Sequence, residues 1–190
     1  VNKEGIPKFV QMIGASEPVF PNEIRQECIQ SSKHLHMTGT NLGALVSASE
    51  IAKSSGKTVS MDPGRKKSDL GHKRLLPVLE NVDVLFVNRR EARTILGAND
   101  DTDIKNVIKR LRRLIGNDKT FVVKGGSDNI LICSPNADFS VSPFQVKVVD
   151  TIGAGDAFAG GFLTAFLQGK DLEDAVIYGA ACGSLKCIQE

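Results

Sequence analysis

Short β-branched apolar runs alternate along this chain with longer stretches in which apolar residues recur every three or four positions. That alternation predicts βα units built around a parallel sheet. KFVQMI (8–13) and KHLHMTG (33–39) read as strands, with a proline-bearing loop and a helix near Glu23 to Ser31 between them. Asn41 to Ser55 has helical spacing and stops at Ser54-Ser55-Gly56, a helix-ending run. KTVSMDPGR (57–65) predicts a strand that ends in a turn, Gly71 to Glu80 a helix interrupted by Pro77, and VDVLFVN (82–88) the clearest buried strand. REARTILG continues straight into a helix ending at Gly97.

The second half keeps the pattern. NDDTD (99–103) supplies cap residues ahead of Ile104, Val107, Ile108, Leu111 and Leu114, an amphipathic stripe. KTFVVKGG (119–126) and NILICS (129–134) predict strands on either side of a tight turn, since Gly125, Gly126, Asp128 and Asn129 are all turn formers. A polar, hairpin-like segment, PNADFSVSPFQVKVVD (135–150), leads to two closing helices, roughly Ala154 to Gln168 and Leu172 to Cys187. The predicted fold is a three-layer α/β/α sandwich with a mostly parallel sheet.

Composition narrows the classes. With 190 residues and 41% apolar content, one sizeable core is expected. The 24 basic and 22 acidic residues nearly cancel, and the short basic runs are interrupted, so nothing calls for nucleic acid. The four cysteines form no CxxC pair or zinc-like spacing, which suits a reduced, cytoplasmic protein. No apolar run approaches the roughly 20 residues that span a bilayer, and no membrane partner is expected. His34 and His36 alternate on one strand and share a face, but without a third ligand nearby they read as structural rather than as a metal pair.

Ligands of open α/β sheets bind beyond the carboxyl ends of the strands, where loops feed into helices. There the stretch VVDTIGAGDAFAGGF (148–162) has the strongest chemical logic. Gly153, Ala154 and Gly155 carry almost no side-chain bulk, so their amides can approach an anion that the following helix also attracts. Asp156 falls in the first turn of that helix. A carboxylate beside a bound anion suits proton acceptance from a hydroxyl while the amides stabilise a transferring phosphoryl group. An aspartate titrates near pH ~3.9 in model peptides, yet a loose phosphoryl-transfer transition state asks little of its base. Other phosphate loops are excluded. No GxxxxGK[ST] occurs, and GAGDAF has Phe158 where a dinucleotide fingerprint needs its third glycine.

DTIGAGDAFAGGF resembles the second signature of the ribokinase-like (PfkB-type) carbohydrate kinases, DTxGAGD followed by a small, apolar helix. VDVLFVNRREA resembles that family's N-x-x-E element, MDPGR its strand-end D-P-x-x-R element, and VVKGG the strand entering its nucleotide loop. The resemblance implies ATP and Mg2+, with Asp156 as catalytic base and Gly153, Ala154 and Gly155 as the anion hole. It further implies Asn88 near the ATP phosphates, Glu91 organising Mg2+ through water, and Lys124 and Gly126 bordering the nucleotide. Asp150 and Ile152 would offer oxygens to a monovalent cation such as K+, as in some members. The nucleotide loop departs from the family at Ser127-Asp128-Asn129, where another glycine is usual; Asn tolerates a left-handed backbone, so the turn is expected to survive.

The family's glycine-rich first signature has no counterpart here. The expectation is therefore that residues 1–190 form a partial ribokinase-like domain, its C-terminal, ATP-binding and catalytic part, without the N-terminal strands and β lid. The implied reaction is ATP-dependent phosphorylation of a primary alcohol on a sugar, sugar acid or nucleoside. Two alternatives stand beside it: a nucleotide-binding regulatory or pseudo-kinase module of the same fold, and a kinase for a vitamin precursor such as pyridoxal or hydroxymethylpyrimidine. Many family members pair through the lid, which leaves a homodimer open.

Overall fold

A computed structural model describes residues 17–189, so the strand expected at 8–13 lies outside the described residues. Four parallel strands stand in chain order: β1 (His34–Met37), β2 (Thr58–Met61), β3 (Val84–Asn88) and β4 (Thr120–Lys124). The two inner strands are buried along nearly their whole length on both faces, which is why VLFVN and TFVVK are continuous apolar runs rather than alternating ones. Beyond β4 the direction reverses through β5 (Ile130–Cys133) and β6 (Asp138–Val141). The hairpin-like segment thus contributes a real edge strand.

Helices cover both faces. On one side α1 (Gln26–Ser31), α2 (Leu42–Ser54), α4 (Gly71–Leu79), α5 (Arg89–Leu96) and α6 (Ile104–Ile115) bury Leu45, Leu75, Ile95 and Leu111 against Met61, Leu85, Val87, Phe121 and Val123. On the other, α7 (Ala154–Leu167) and α8 (Leu172–Cys187) bury Phe158, Phe162 and Val176 against Val84, Phe86, Val122 and Ile132. The three-layer sandwich with a mostly parallel sheet is what the sequence pattern predicted.

Three local expectations change. Pro77 sits inside α4 without ending it at once: it forfeits the bond its missing N–H would make one turn back, and the helix runs on only to Leu79. DPGR does not stop at a turn; Gly64, at φ 58°, opens a short helix, α3 (Gly64–Ser68). On α6 the buried stripe ends on Ile115, and Leu114 is 45% exposed, since a 3.6-residue period carries the apolar face from Leu111 to position 115.

The approach of α7 to α8 sets the position of everything at the carboxyl edge. A methyl group at Gly161 would lie 2.7 Å from Cys182 Sγ and 2.8 Å from the Tyr178 carbonyl. One at Gly179 would lie 2.9 Å from the Phe158 carbonyl, and one at Gly183 would lie 3.1 Å from that of Ala154. Neighbouring Gly160 is exposed with nothing within 4 Å of its missing Cβ. Gly161→Ala is therefore expected to cost about 1–3 kcal/mol through overpacking. Gly160→Ala should stabilise by about 0.5–1 kcal/mol through helix propensity. Urea unfolding of the two variants reads the difference, and equal midpoints would refute this interhelical contact.

Candidate functional site

The carboxyl ends of β1 to β4 share one edge of the sheet, and the first turn of α7 begins beside it. Asn88 ends β3 and caps α5: its Oδ1 accepts from the Glu91 N–H at 2.8 Å, and Glu91 Oε2 accepts from the Asn88 N–H at 2.8 Å. This reciprocal capping box fixes both side chains. It uses one carboxylate oxygen and leaves Glu91 Oε1 without a protein partner among the described residues. Burial pushes the Glu91 carboxyl above the usual range, the Asn88 N–H pulls it back, Asp62 repels it further upward and Lys124 opposes that. A half-buried carboxylate oxygen beside strand-end polar groups fits a hard, hydrated divalent cation.

Lys124 ends β4. Its Nζ donates to Asp62 Oδ2 at 2.6 Å, and the two side chains are only 17% and 11% exposed. Asp62 follows β2; its Oδ1 accepts from the Gly64 N–H at 3.2 Å, and its own N–H donates to the Met37 carbonyl at 2.9 Å. The ammonium also lies beside α7: a Cβ at Gly155 would be 3.1 Å from Lys124 Nζ.

The turn after Lys124 depends on both glycines. A side chain at Gly125 would strike the carbonyl oxygens of Asp128 and Asn129, and Gly126 takes the left-handed conformation at φ 68°. Asn129 does not, contrary to expectation; no non-glycine residue among those described has a positive φ. Arg89 closes the turn from α5, with Nη2 donating to the Asn129 carbonyl at 3.3 Å and lying 3.6 Å from Asp128 Oδ2. That places Arg89 in a structural tie, while Arg90 is exposed.

At α7, Gly153 is left-handed at φ 79°, a conformation costly for any residue with a Cβ. The Ala154 N–H is consumed by the Thr151 carbonyl at 3.1 Å. Of the three amides expected to meet an anion, those of Gly153 and Gly155 have no protein acceptor among the described residues; Ala154 instead tightens the turn. Asp156 occupies the first turn of α7, exposed and without a hydrogen-bond partner among the described residues. Asp150 Oδ1 accepts from the Ile152 N–H at 3.0 Å, and the Asp150 N–H donates to the Cys187 carbonyl at 3.2 Å. Ile152 is 61% exposed, on the outer side of this loop.

Residues 14–190 match the pfkB family carbohydrate kinase. The chain belongs to this family. It is 35% identical over 180 residues to an ATP-dependent ribose-1-phosphate kinase of Halopiger xanaduensis, covering 93% of this chain and 56% of that relative. An E. coli structure described as a ribokinase II in complex with ATP and Mg2+ superimposes with a TM-score of 0.77 at 26% identity, over 90% of this chain and 57% of that one. Adenosine kinase from Sinorhizobium meliloti gives a TM-score of 0.79 at 22% identity, over 90% of this chain and 54% of that one, a likeness of fold. The chain thus spans little more than half the length of these relatives. Among the described residues no helix is long and apolar enough to cross a membrane.

Sequence reasoning placed Asn88, Glu91, Lys124 and the α7 loop of this family member at one edge, and the structure brings them together. It missed Asp62 as the partner of Lys124. The available signal was topological: both residues end strands that flank β3, so a long side chain on one can reach the other.

His34 and His36 lie on the α7 side of β1. His34 Nδ1 and Nε2 sit 2.7 Å from Thr58 Oγ1 and Ser60 Oγ, and His36 Nδ1 sits 2.7 Å from the same Ser60 Oγ. Burial lowers the His34 pKa to about 4, with His36 adding repulsion and Asp83 opposing. The folded protein therefore holds His34 neutral, and this contribution to stability is present above pH 6.5 and lost as the pH falls through about 4. His34→Gln is expected to flatten the decline of melting temperature over that window, read by thermal melts at several pH values. An unchanged slope would contradict this assignment.

Proposed function

We propose that this chain is the nucleotide-binding and catalytic part of an ATP-dependent kinase that phosphorylates a primary alcohol of a sugar, sugar acid or nucleoside. One observation carries the reading: an exposed Asp156 beside the amides of Gly153 and Gly155 at the amino end of α7, all three without a hydrogen-bond partner among the described residues. Family membership and the ribose-1-phosphate kinase relative support the reaction class. Four free thiols fit a reducing, cytoplasmic setting.

In this reading Asp156 orients the acceptor hydroxyl and takes its proton as the new O–P bond forms. The bond from the γ-phosphorus to the ADP oxygen breaks in the same displacement, and ADP leaves. The Gly153 and Gly155 amides stabilise the charge on the moving phosphoryl oxygens, aided by the helix dipole. Asn88 and Gly126 border the nucleotide. Glu91 Oε1 would hold the hydration shell of Mg2+, which when bound neutralises phosphate charge. A monovalent cation at the neighbouring corner would draw on Asp150 and the Ile152 carbonyl, and exchanging K+ for Na+ in the assay reads that requirement.

A regulatory module of the same fold would bind nucleotide without turnover. Asp156→Asn in the full-length protein is expected to lower kcat by roughly 10²- to 10⁴-fold, the range for loss of a general base, with an unchanged melting temperature. ADP release measured over a panel of ribose phosphates, hexoses, sugar acids and nucleosides reads this, and full activity of the variant would remove Asp156 from the chemistry.

A further inference from the structure

Lys124 and Asp62 stand on β4 and β2, with β3 running between them. Neighbouring strands are about 4.8 Å apart, so a 2.6 Å contact between the two side chains has to arch over the carboxyl end of β3. Lys124 is therefore drawn along the sheet edge toward β2, away from the hairpin turn at Gly126 that a nucleotide-bordering side chain would accompany. Its ammonium comes to rest against the first turn of α7, where a Cβ at Gly155 would approach it to 3.1 Å.

A plain structural tie explains the ion pair but not its location. The amino end of a helix is its positive end, so an ammonium is disfavoured there, and a largely buried ion pair is a weak source of stability. Asp62 holds the ammonium through one oxygen while its other oxygen accepts from the Gly64 N–H, so the carboxylate that aims Lys124 is itself fixed in place. The Lys124 ammonium and the amides of Gly153 and Gly155, which have no protein acceptor among the described residues, thus converge at the amino end of α7, in the helical turn that carries Asp156. A phosphoryl group in transfer, with charge spread over three equatorial oxygens, is the anion that such a set complements.

We infer that Lys124 is a catalytic residue that contacts the transferring phosphoryl group, and that Asp62 is the positioning residue that holds it at the amino end of α7. Gly155 belongs to the same device, because the ammonium needs the space a side chain there would fill. This rests on the proposed kinase function and adds the electrophile to it. The ammonium balances charge while the phosphoryl group passes from ATP to the alcohol oxygen; ADP leaves, and the alcohol proton goes to Asp156.

The test is calorimetric binding of ATP and of ADP, each with Mg2+ and no acceptor, to full-length wild type and to Lys124→Met, Lys124→Arg, Asp62→Asn and Gly155→Ala, alongside kcat. Lys124→Met is expected to weaken ATP roughly 10-fold or more while ADP affinity moves less than about 3-fold, and to lower kcat by about 10²- to 10³-fold, as for a lost oxyanion donor. Lys124→Arg should recover part of both. Gly155→Ala should reproduce the ATP-selective loss although Lys124 is still present, and Asp62→Asn should lower kcat more than it raises either KM. Equal losses of ATP and ADP, or no loss of either, overturn this inference and leave the kinase reading intact. A wild-type protein that binds neither nucleotide overturns both. If Lys124→Met does not fold, the ATP to ADP affinity ratio of Lys124→Arg and Gly155→Ala decides the matter.

Discussion

Helix α7 is held at its height over the sheet from two sides. Phe158 and Phe162 seat it edge-on against Phe86, with ring centroids 6.4 and 5.1 Å away, and its backbone presses against α8 at Gly161, Gly179 and Gly183. Large side chains on the sheet side fix a distance, and their absence on the helix side permits contact with neighbouring carbonyls. Because Gly183 meets the Ala154 carbonyl itself, the packing constraint extends to the first residue of α7. One turn further on, the carboxyl end of α8 also holds the loop before α7, through the N–H groups of Val149 and Asp150 on the Cys187 carbonyl. A site made of backbone amides needs such anchoring, since amides are aimed only by the chain that carries them.

The fold was largely legible because its elements are decided by periodicity. VLFVN and TFVVK allow little besides buried strands, and the α5 and α6 stripes have clear caps in Asn88 and Asp103. What failed was decided by details below the level of periodicity. Pro77 interrupts the α4 hydrogen bonding at one position, yet the helix continues two residues past it to Leu79. Asn129 was expected to supply a left-handed turn residue, but Gly126 takes that conformation and Gly125 admits the close carbonyls, so the missing third glycine costs the turn nothing.

At the site, residue types were legible and pairings were not. A sequence shows that Asp62, Asn88 and Lys124 end consecutive parallel strands, but not that the first and last join hands over the middle one. Nor does it show that the Ala154 amide is spent on Thr151 while its neighbours stay open, since that depends on the left-handed turn at Gly153. Asn88 and Glu91 illustrate why a structural and a functional reading need not compete. The capping box occupies one carboxylate oxygen and one amide oxygen and locks the rotamers of both side chains. Rigid placement is what a hydrated cation would require of its outer ligands, so the cap supplies the preorganisation that the proposed role needs.

Charge balance at the carboxyl edge carries this one step further. Asp62, Glu91 and Asp156 set three carboxyl groups near the ammonium of Lys124, Lys186 brings a second lysine to the Gly153 turn, where a Cβ would lie 3.7 Å from its Cε, and burial lowers the pKa of His36. The amino end of α7 contributes only about half an elementary charge. A nucleotide triphosphate entering alone would add several negative charges to an edge that already carries three carboxyl groups. Under the proposed function the nucleotide therefore has to arrive with its own divalent cation, and the edge is built for the complex rather than for either component. Burial and Asp62 raise the pKa of Glu91, and a nearby cation favours its ionised form. Pairing with Asp62 fixes the Lys124 ammonium at one point of this edge, so under the proposed function the carboxylate that receives the proton is left to the acceptor hydroxyl.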